Sequence, residues 1–363
     1  MQDALPLEAA DLELEPHAGA SGGRPAPGEV EPGVWRVPAP VPFGARSVNL
    51  YLISGPAAGQ GWLLIDAPIA TSRAEAALAS ALERIGITAG DISAIVLTHA
   101  HPDHLGAAGA WQRRAGAPVY LLANAAHDFA PLWADVENST FLEAARTLVA
   151  HGMPPDEAQA LVTRAVQIRG VLDLPAHPQH LAHGRRVQLA GGTYHVEWLP
   201  GHADGQLGLL RDDGLLIAGD AVLPSLVPSV GWYPWARPDP LGDQLATLDL
   251  LAGLPGVRLV LPGHGRPFAD LAGRAGELRG LYARELSATA QLLAGAPDGL
   301  TAYALALAQM PQRMRVPDSR LLAMAEAVAL LERLAVIDRA ERTTDTGGAV
   351  RYRRADEGAS RAT

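Results

Sequence analysis

The stretch Ile95-Val96-Leu97-Thr98-His99-Ala100-His101-Pro102-Asp103-His104 decides how this chain is read. Three imidazoles and one carboxylate follow directly on an apolar run rich in β-branched residues. That order places the ligand-type side chains in a loop at the end of a buried strand. Imidazole and carboxylate are well suited to a borderline divalent cation such as zinc. Adjacent residues cannot close around an ion by themselves, so further ligands must come from elsewhere in the chain.

Three downstream segments repeat the pattern. Trp198-Leu199-Pro200-Gly201-His202, Leu216-Ile217-Ala218-Gly219-Asp220 and Leu259-Val260-Leu261-Pro262-Gly263-His264-Gly265 each put one His or Asp after an apolar run and beside a glycine. A lone Gly-His is more often a turn residue. The ordered recurrence is what points to loops converging on one edge of a sheet structure. His17, His127, His151, His177, His180, His183 and His195 lack that context and are read as surface or packing residues.

The surroundings alternate between strand-rich and helical patterns. Residues 34–37, 48–53 and 62–65 read as strands and 72–86 as a helix. A second strand-rich block covers 187–189, 194–199, 207–210 and 215–218, with Asp213-Gly214 as a hairpin turn and a helix following over about 240–253. Two similar halves, each ending in a strand and a His-bearing loop, imply an α+β fold in which two sheets pack face to face with helices outside, an αββα sandwich. This core is expected over 33–270. Residues 125–170 read as a helical insert broken near 151–154, and long insertions in enzymes are often lids. Residues 271–294 and 319–334 read as amphipathic helices around a shorter one opening at 300–303, while 335–338 and 349–352 flank a polar loop. Three helices and a terminal hairpin describe a small winged-helix domain over 271–355. The acidic leader 1–32, with seven acidic residues against one Arg, and the tail 356–363 are expected to be disordered.

The ordered set His-x-His-x-Asp-His, then His, Asp and His resembles the hallmark of the metallo-β-lactamase-fold hydrolases. The resemblance covers about residues 33–268, and with the C-terminal piece it is similar to the subfamily carrying an appended winged helix. It implies two divalent metal ions, zinc being the expected one. His99, His101 and His202 would bind the first; Asp103, His104 and His264 the second; and Asp220 would bridge them. A hydroxide between the two cations would be the nucleophile, and Asp103 would orient it as the catalytic carboxylate. Asp66 ends the strand Leu63-Leu64-Ile65 and matches the family's strand-ending Asp, which holds a ligand His. The family usually has Asp-Thr-Gly here, whereas this chain has Asp66-Ala67-Pro68. Gln206 stands where relatives often carry a second, non-ligand His.

Composition narrows the reading. A chain of 363 residues with 48% hydrophobic content can bury a sizeable core. A formal net charge of −10 argues against coating nucleic acid or an anionic membrane. All 29 basic residues are Arg, which excludes lysine Schiff-base chemistry. The absence of cysteine excludes thiolate catalysis, disulfides and β-lactamases with a ligand cysteine. No apolar stretch approaches the ~18 residues that span a bilayer, and the N-terminal region lacks the marks of a signal peptide, so a cytoplasmic protein is expected. Over 275–355, 11 Arg face 9 acidic residues, with no dense basic stripe beyond Arg351, Arg353 and Arg354. The winged helix is therefore expected to be structural, dimerising into a homodimer, or pocket-shaping rather than a nucleic-acid reader. Trp232, Tyr233 and Trp235 either line a substrate pocket or plug the space between domains. The expected activity is hydrolysis of a small acyl substrate, a thioester, ester or lactone. The alternative is a nuclease that cleaves RNA phosphodiesters, guided by the winged helix.

Overall fold

The computed structural model describes residues 26–42, 47–57, 59–125, 132–135 and 137–355. The first sheet opens with β1 (Gly28–Glu31), β2 (Val34–Pro40), β3 (Ser47–Ser54) and β4 (Trp62–Ile65). Helix α1 (Ser72–Ile85) leads to β5 (Ile92–Val96), then α2 (Pro102–Leu105), α3 (Ala108–Ala115) and β6 (Val119–Leu122). The insert holds α4 (Ser139–Ala150) and α5 (Pro155–Gly170) before β7 (Gln179–Leu181). The second sheet comprises β8 (Arg186–Leu189), β9 (Gly192–Trp198), β10 (Leu207–Arg211) and β11 (Leu215–Gly219), then α6 (Pro240–Ala252) and β12 (Leu259–Pro262). The chain continues through α7 (Leu271–Ala294), α8 (Ala302–Gln309), α9 (Pro311–Met314) and α10 (Pro317–Val336) to the hairpin β13 (Ala340–Thr344) and β14 (Val350–Arg354).

Seven strands lie in sequence order in the first sheet and five in the second, in the order β12-β11-β10-β9-β8. The pairs β4·β5 and β11·β12 are parallel. Parallel neighbours end at the same edge, so the loops after β4, β5, β11 and β12 gather on one rim. β3 is buried along six of its eight residues, which is why it reads as a nearly continuous apolar run. Asn49 is the polar exception in it. Helix α1 buries Ala74, Leu78, Ala81 and Leu82 as one stripe; Thr71 caps its start and Gly86, at φ 82°, ends it.

Two expectations are corrected. The leader does not extend to residue 32: β1 pairs with β2, and Glu31 reaches the second sheet through ion pairs with Arg258 at 2.5 Å and Arg211 at 3.0 Å. Acidic residues there are bound by partners distant in sequence, which composition does not reveal. Residues 1–25 and the tail 356–363 lie outside the described residues. In the terminal hairpin, Ala335 and Val336 finish α10, and the first strand is Ala340–Thr344, paired from Ala340↔Arg354. Val336-Ile337 has strand-like propensity, but packing of Leu330, Leu331 and Leu334 carries the helix through it. The C-terminal helices and hairpin are compatible with the winged helix expected there. Among the described residues, no helix is long and apolar enough to cross a membrane.

The insert shares a core with the C-terminal helices. Leu148, Met153 and Ala158 pack in one cluster with Leu293, Leu331 and Tyr352. His151, between α4 and α5, is buried there, its ring stacked 6.0 Å from Tyr352 and tilted 6.2 Å from Trp232. Its Nδ1 has no hydrogen-bond partner. Burial, reinforced by the charge of Arg342, pushes His151 down to about 4. Between its ordinary value near 6.5 and that value the unfolded chain holds a proton that the folded chain does not, so stability falls as pH falls through this window. The loss is on the order of 3 kcal/mol at about 1.4 kcal/mol per unit. His151→Phe is expected to flatten the pH dependence of urea unfolding between pH 7 and pH 4.5; an unchanged slope would contradict the assignment.

Candidate metal centre

Each loop on the rim delivers His or Asp side chains to one place. The turn after β5 and the short helix α2 bring His99, His101, Asp103 and His104; the loops after β9, β11 and β12 bring His202, Asp220 and His264. Three groups emerge whose ligand atoms lie within 4.8 Å of one another: His99, His101 and His202; His99, His104 and Asp220; and Asp103, His104 and His264. All seven side chains singled out as ligands thus meet in one cluster. His101 Nδ1 lies 3.0 Å from His99 Nε2 and 2.9 Å from His202 Nε2. Asp220 Oδ2 lies 3.2 Å from Nε2 of His264, 3.6 Å from that of His202 and 3.7 Å from that of His104. One oxygen therefore faces imidazoles of the first and the third group. Asp103 Oδ2 is 3.5 Å from His264 Nε2 and 3.8 Å from His104 Nε2.

The far side of nearly every ring is held. Asp66, which is 1% exposed, accepts from Thr98 N at 2.6 Å and Thr98 Oγ1 at 2.9 Å, and its Oδ2 is 2.8 Å from His104 Nδ1. With its hydrogen given to Asp66, Thr98 Oγ1 accepts from His99 Nδ1, 3.0 Å away. His202 Nδ1 donates to the Ser229 carbonyl and His264 Nδ1 to the Ser47 carbonyl, both at 2.7 Å. These bonds fix Nδ1 and so turn Nε2 of His99, His104, His202 and His264 toward the cluster.

Backbone positions are fixed just as closely. Asn49 Nδ2 donates to the carbonyls of Pro262 and Gly265, and the Tyr51 hydroxyl also donates to the Pro262 carbonyl, so β3 of the first sheet holds the His264 loop of the second. Gln244 Oε1 accepts from the His202 backbone N–H, and its Nε2 donates to the Ala221 carbonyl. A Cβ at Gly263 would stand 2.1 Å from Asp220 Oδ1, so only glycine permits that approach.

Burial and mutual charge sort the titrating groups. Burial and the neighbouring imidazoles keep His99 far below its ordinary value, and His101 falls to about 3 for the same reasons. Burial also lowers His202. Burial opposes the charged form of His104 and His264, but Asp103, Asp66 and Asp220 push His104 up to about 10, and Asp220 with Asp103 pushes His264 up to about 12. Burial likewise works against ionised Asp103 and Asp220, and the same two histidines hold both carboxyls below the usual range. Burial raises Asp66, against the pull of His104. His104 Nε2 and Asp220 Oδ1 are buried with no hydrogen-bond partner. Such orphaned atoms cost free energy unless something satisfies them. A donor set of imidazole nitrogen and carboxylate oxygen, with two orphaned members, fits a divalent cation.

The other residues singled out lie elsewhere. Trp232 packs against the C-terminal core and its backbone N–H donates to the Ala325 carbonyl. Tyr233 and Trp235 stack on each other at 5.1 Å and are half-buried. Gln206 is buried and donates to the carbonyls of Leu207 and Ala218. His183 is exposed beside Glu197, and His195 is half-buried beside Asp212. His177 and His180 are exposed; His17 and His127 lie outside the described residues. Sequence reasoning missed Thr98, Asn49, Tyr51, Gln244 and the carbonyls of Ser47 and Ser229. Only Asn49 carried a signal, as the polar residue inside an apolar run.

Residues 43–264 match the model of the family described as the metallo-beta-lactamase superfamily. Two proteins of Bacillus subtilis strain 168 are similar: the probable metallo-hydrolase YflN, 30% identical over 48% of this chain and 61% of its own, and the probable metallo-hydrolase YqjP, 28% identical over 64% and 71%. The chain thus spans about three fifths of the length of YflN. Among solved structures, a metallo-beta-lactamase family protein from Thermus thermophilus superposes with a TM-score of 0.78 at 33% identity, over 90% of this chain and 100% of that one. A beta-lactamase domain protein from Burkholderia ambifaria does so with 0.77 at 25% identity, over 94% and 97%.

Asp66→Asn keeps the shape of the carboxylate and removes its charge. It is expected to weaken Zn²⁺ binding by roughly 10–100-fold, the usual effect of losing a ligand's outer partner. Chelator competition measures this, and an affinity equal to that of the parent would contradict the role given to Asp66.

Proposed function

This chain belongs to the metallo-β-lactamase superfamily, its family domain covering residues 43–264, and from that membership we propose that it is a dinuclear metal-dependent hydrolase of small acyl substrates. The observation that carries the reading is the single oxygen, Asp220 Oδ2, within 3.2–3.7 Å of ligand nitrogens from both triads. His99, His101 and His202 would hold one cation and Asp103, His104 and His264 the other, with Asp220 shared and zinc the first candidate for both. When bound, such cations supply Lewis acidity and lower the pKa of a coordinated water toward ~7.

The chain's own residues do the rest. With their pKa values lowered by desolvation, His99, His101 and His202 would offer lone pairs without first losing a proton. Asp103 stays ionised and would accept a hydrogen bond from the attacking water, aiming its lone pair at the substrate. Asp66 and Thr98 keep His104 and His99 in the required tautomers.

A thioester, ester or lactone is favoured over a nucleic acid by the charge of the C-terminal part. Arg313, Arg320, Arg333, Arg342, Arg351 and Arg353 are each paired with a carboxylate, which removes much of the basic face that phosphate recognition needs. The net charge of −10 acts in the same direction.

The test is a metal count and a substrate panel of thioesters, lactones and single-stranded RNA. The parent is expected to hold about two cations per chain, and Asp220→Ala to lose cations and turnover together. Asp103→Asn is expected to lower kcat by roughly 10²–10⁴-fold. A single bound cation in the active parent would defeat the dinuclear reading. RNA cleavage without acyl turnover would replace the substrate class.

A further inference from the structure

Residues 220–239, between β11 and α6, contain neither strand nor helix. They nevertheless present the Ser229 carbonyl to His202 Nδ1 at 2.7 Å. A loop with neither strand nor helix pairing has few bonds of its own to hold a carbonyl in place, so most of the restraint around Ser229 has to come from outside it. It comes from the C-terminal helices. Arg274 of α7 donates to the carbonyls of Leu223 and Leu226, and the Tyr282 hydroxyl donates to that of Pro228 at 2.7 Å. On the other side of Ser229, Trp232 N–H donates to the Ala325 carbonyl of α10 at 3.0 Å. At Ser229 itself the hydroxyl donates to Glu326 Oε1 of α10. Arg313 of α9 grips both oxygens of Glu326, with Nη2 to Oε1 at 2.9 Å and Nη1 to Oε2. A two-pronged Arg–carboxylate pair fixes direction as well as distance.

We propose that Glu326, held by Arg313, is a positioning residue for the metal centre: through the Ser229 hydroxyl it sets the carbonyl that orients His202. The inference rests on His202 being a ligand, as proposed above. It gives the C-terminal helices a role that neither their charge nor a nucleic-acid partner supplies. They complete one limb of the site, reaching it from more than 100 residues away in the chain. The relay runs Arg313, Glu326, Ser229 hydroxyl, Ser229 carbonyl, His202 Nδ1. Removing Glu326 takes away no side chain of the cluster; it releases Arg313 and, through Ser229, the direction of the His202 ring.

Two readouts test it on the full chain. Zn²⁺ affinity is measured by chelator competition, and the His202 Nδ1 proton is followed by NMR in metal-free protein, assigned by its absence in His202→Ala. Glu326→Ala and Ser229→Ala are each expected to weaken Zn²⁺ binding roughly tenfold, the low end for an outer partner of a ligand, and to shift or broaden the His202 resonance. Glu326→Gln retains an acceptor for Ser229 and is expected to recover most of the affinity. Tyr352→Phe removes a different C-terminal bond, to Glu332, and is expected to change neither readout. Parent-like affinity with an unmoved resonance in Glu326→Ala and Ser229→Ala would overturn the relay. An equal loss in Tyr352→Phe would also overturn it, by tracing the effect to general loosening of the C-terminal helices. A parent that binds no Zn²⁺ would defeat the metallo-hydrolase reading, and the resonance would then decide the relay alone.

Discussion

The carboxylate of Asp66 is almost fully shut off from solvent, and most of the site's order depends on how it is compensated. An uncompensated buried carboxylate is prohibitively unstable. Here it receives the Thr98 N–H and hydroxyl and faces His104 Nδ1. Asp66 also sits at φ 60°, a left-handed conformation that non-glycine residues adopt rarely. Strain and burial are sustained together because one side chain ties the end of β4 to the end of β5. That tie sets the ring directions of His104 and, through Thr98, of His99.

The same logic recurs around the cluster, each time with a different supporting element. β3 steadies the His264 loop through Asn49, Tyr51 and the Ser47 carbonyl. α6 steadies the His202 backbone through Gln244. α10 steadies the His202 ring through Ser229. The second sheet supplies ligands that the first sheet and the C-terminal helices orient, so neither half of the sandwich is self-sufficient. Within the cluster the carboxylates of Asp103 and Asp220 favour the charged forms of His104 and His264, and those two histidines favour the ionised carboxylates in return.

The motif was legible because ligands at the end of a strand are constrained locally. A strand has to stop, a glycine has to allow the turn, and a His or Asp has to follow. Those requirements leave marks at 98–104, 198–202, 216–220 and 259–265. The αββα layout was legible for the same reason, since strand and helix periods repeat in both halves. The supporting partners were not. Two of them are backbone carbonyls, which every residue carries, and Gln244 is one polar residue on an otherwise ordinary helix. β1 was hidden because acidic composition resembles a leader until Glu31 meets Arg258 and Arg211 across the fold. The start of the terminal hairpin was hidden because Val336 and Ile337 favour strand locally while the helix before them is held by packing.

By itself, then, the sequence determined which side chains are ligands in type, in what order they come, and which strand ends carry them, because those are short-range demands of backbone geometry and donor chemistry. Only the tertiary structure decided how these side chains are grouped around Asp220, which nitrogen of each imidazole faces inward, and that the insert and the C-terminal helices share one core. Those outcomes depend on contacts between residues tens to hundreds of positions apart. No local pattern encodes such contacts; they exist only once two sheets and their helices have closed on one another.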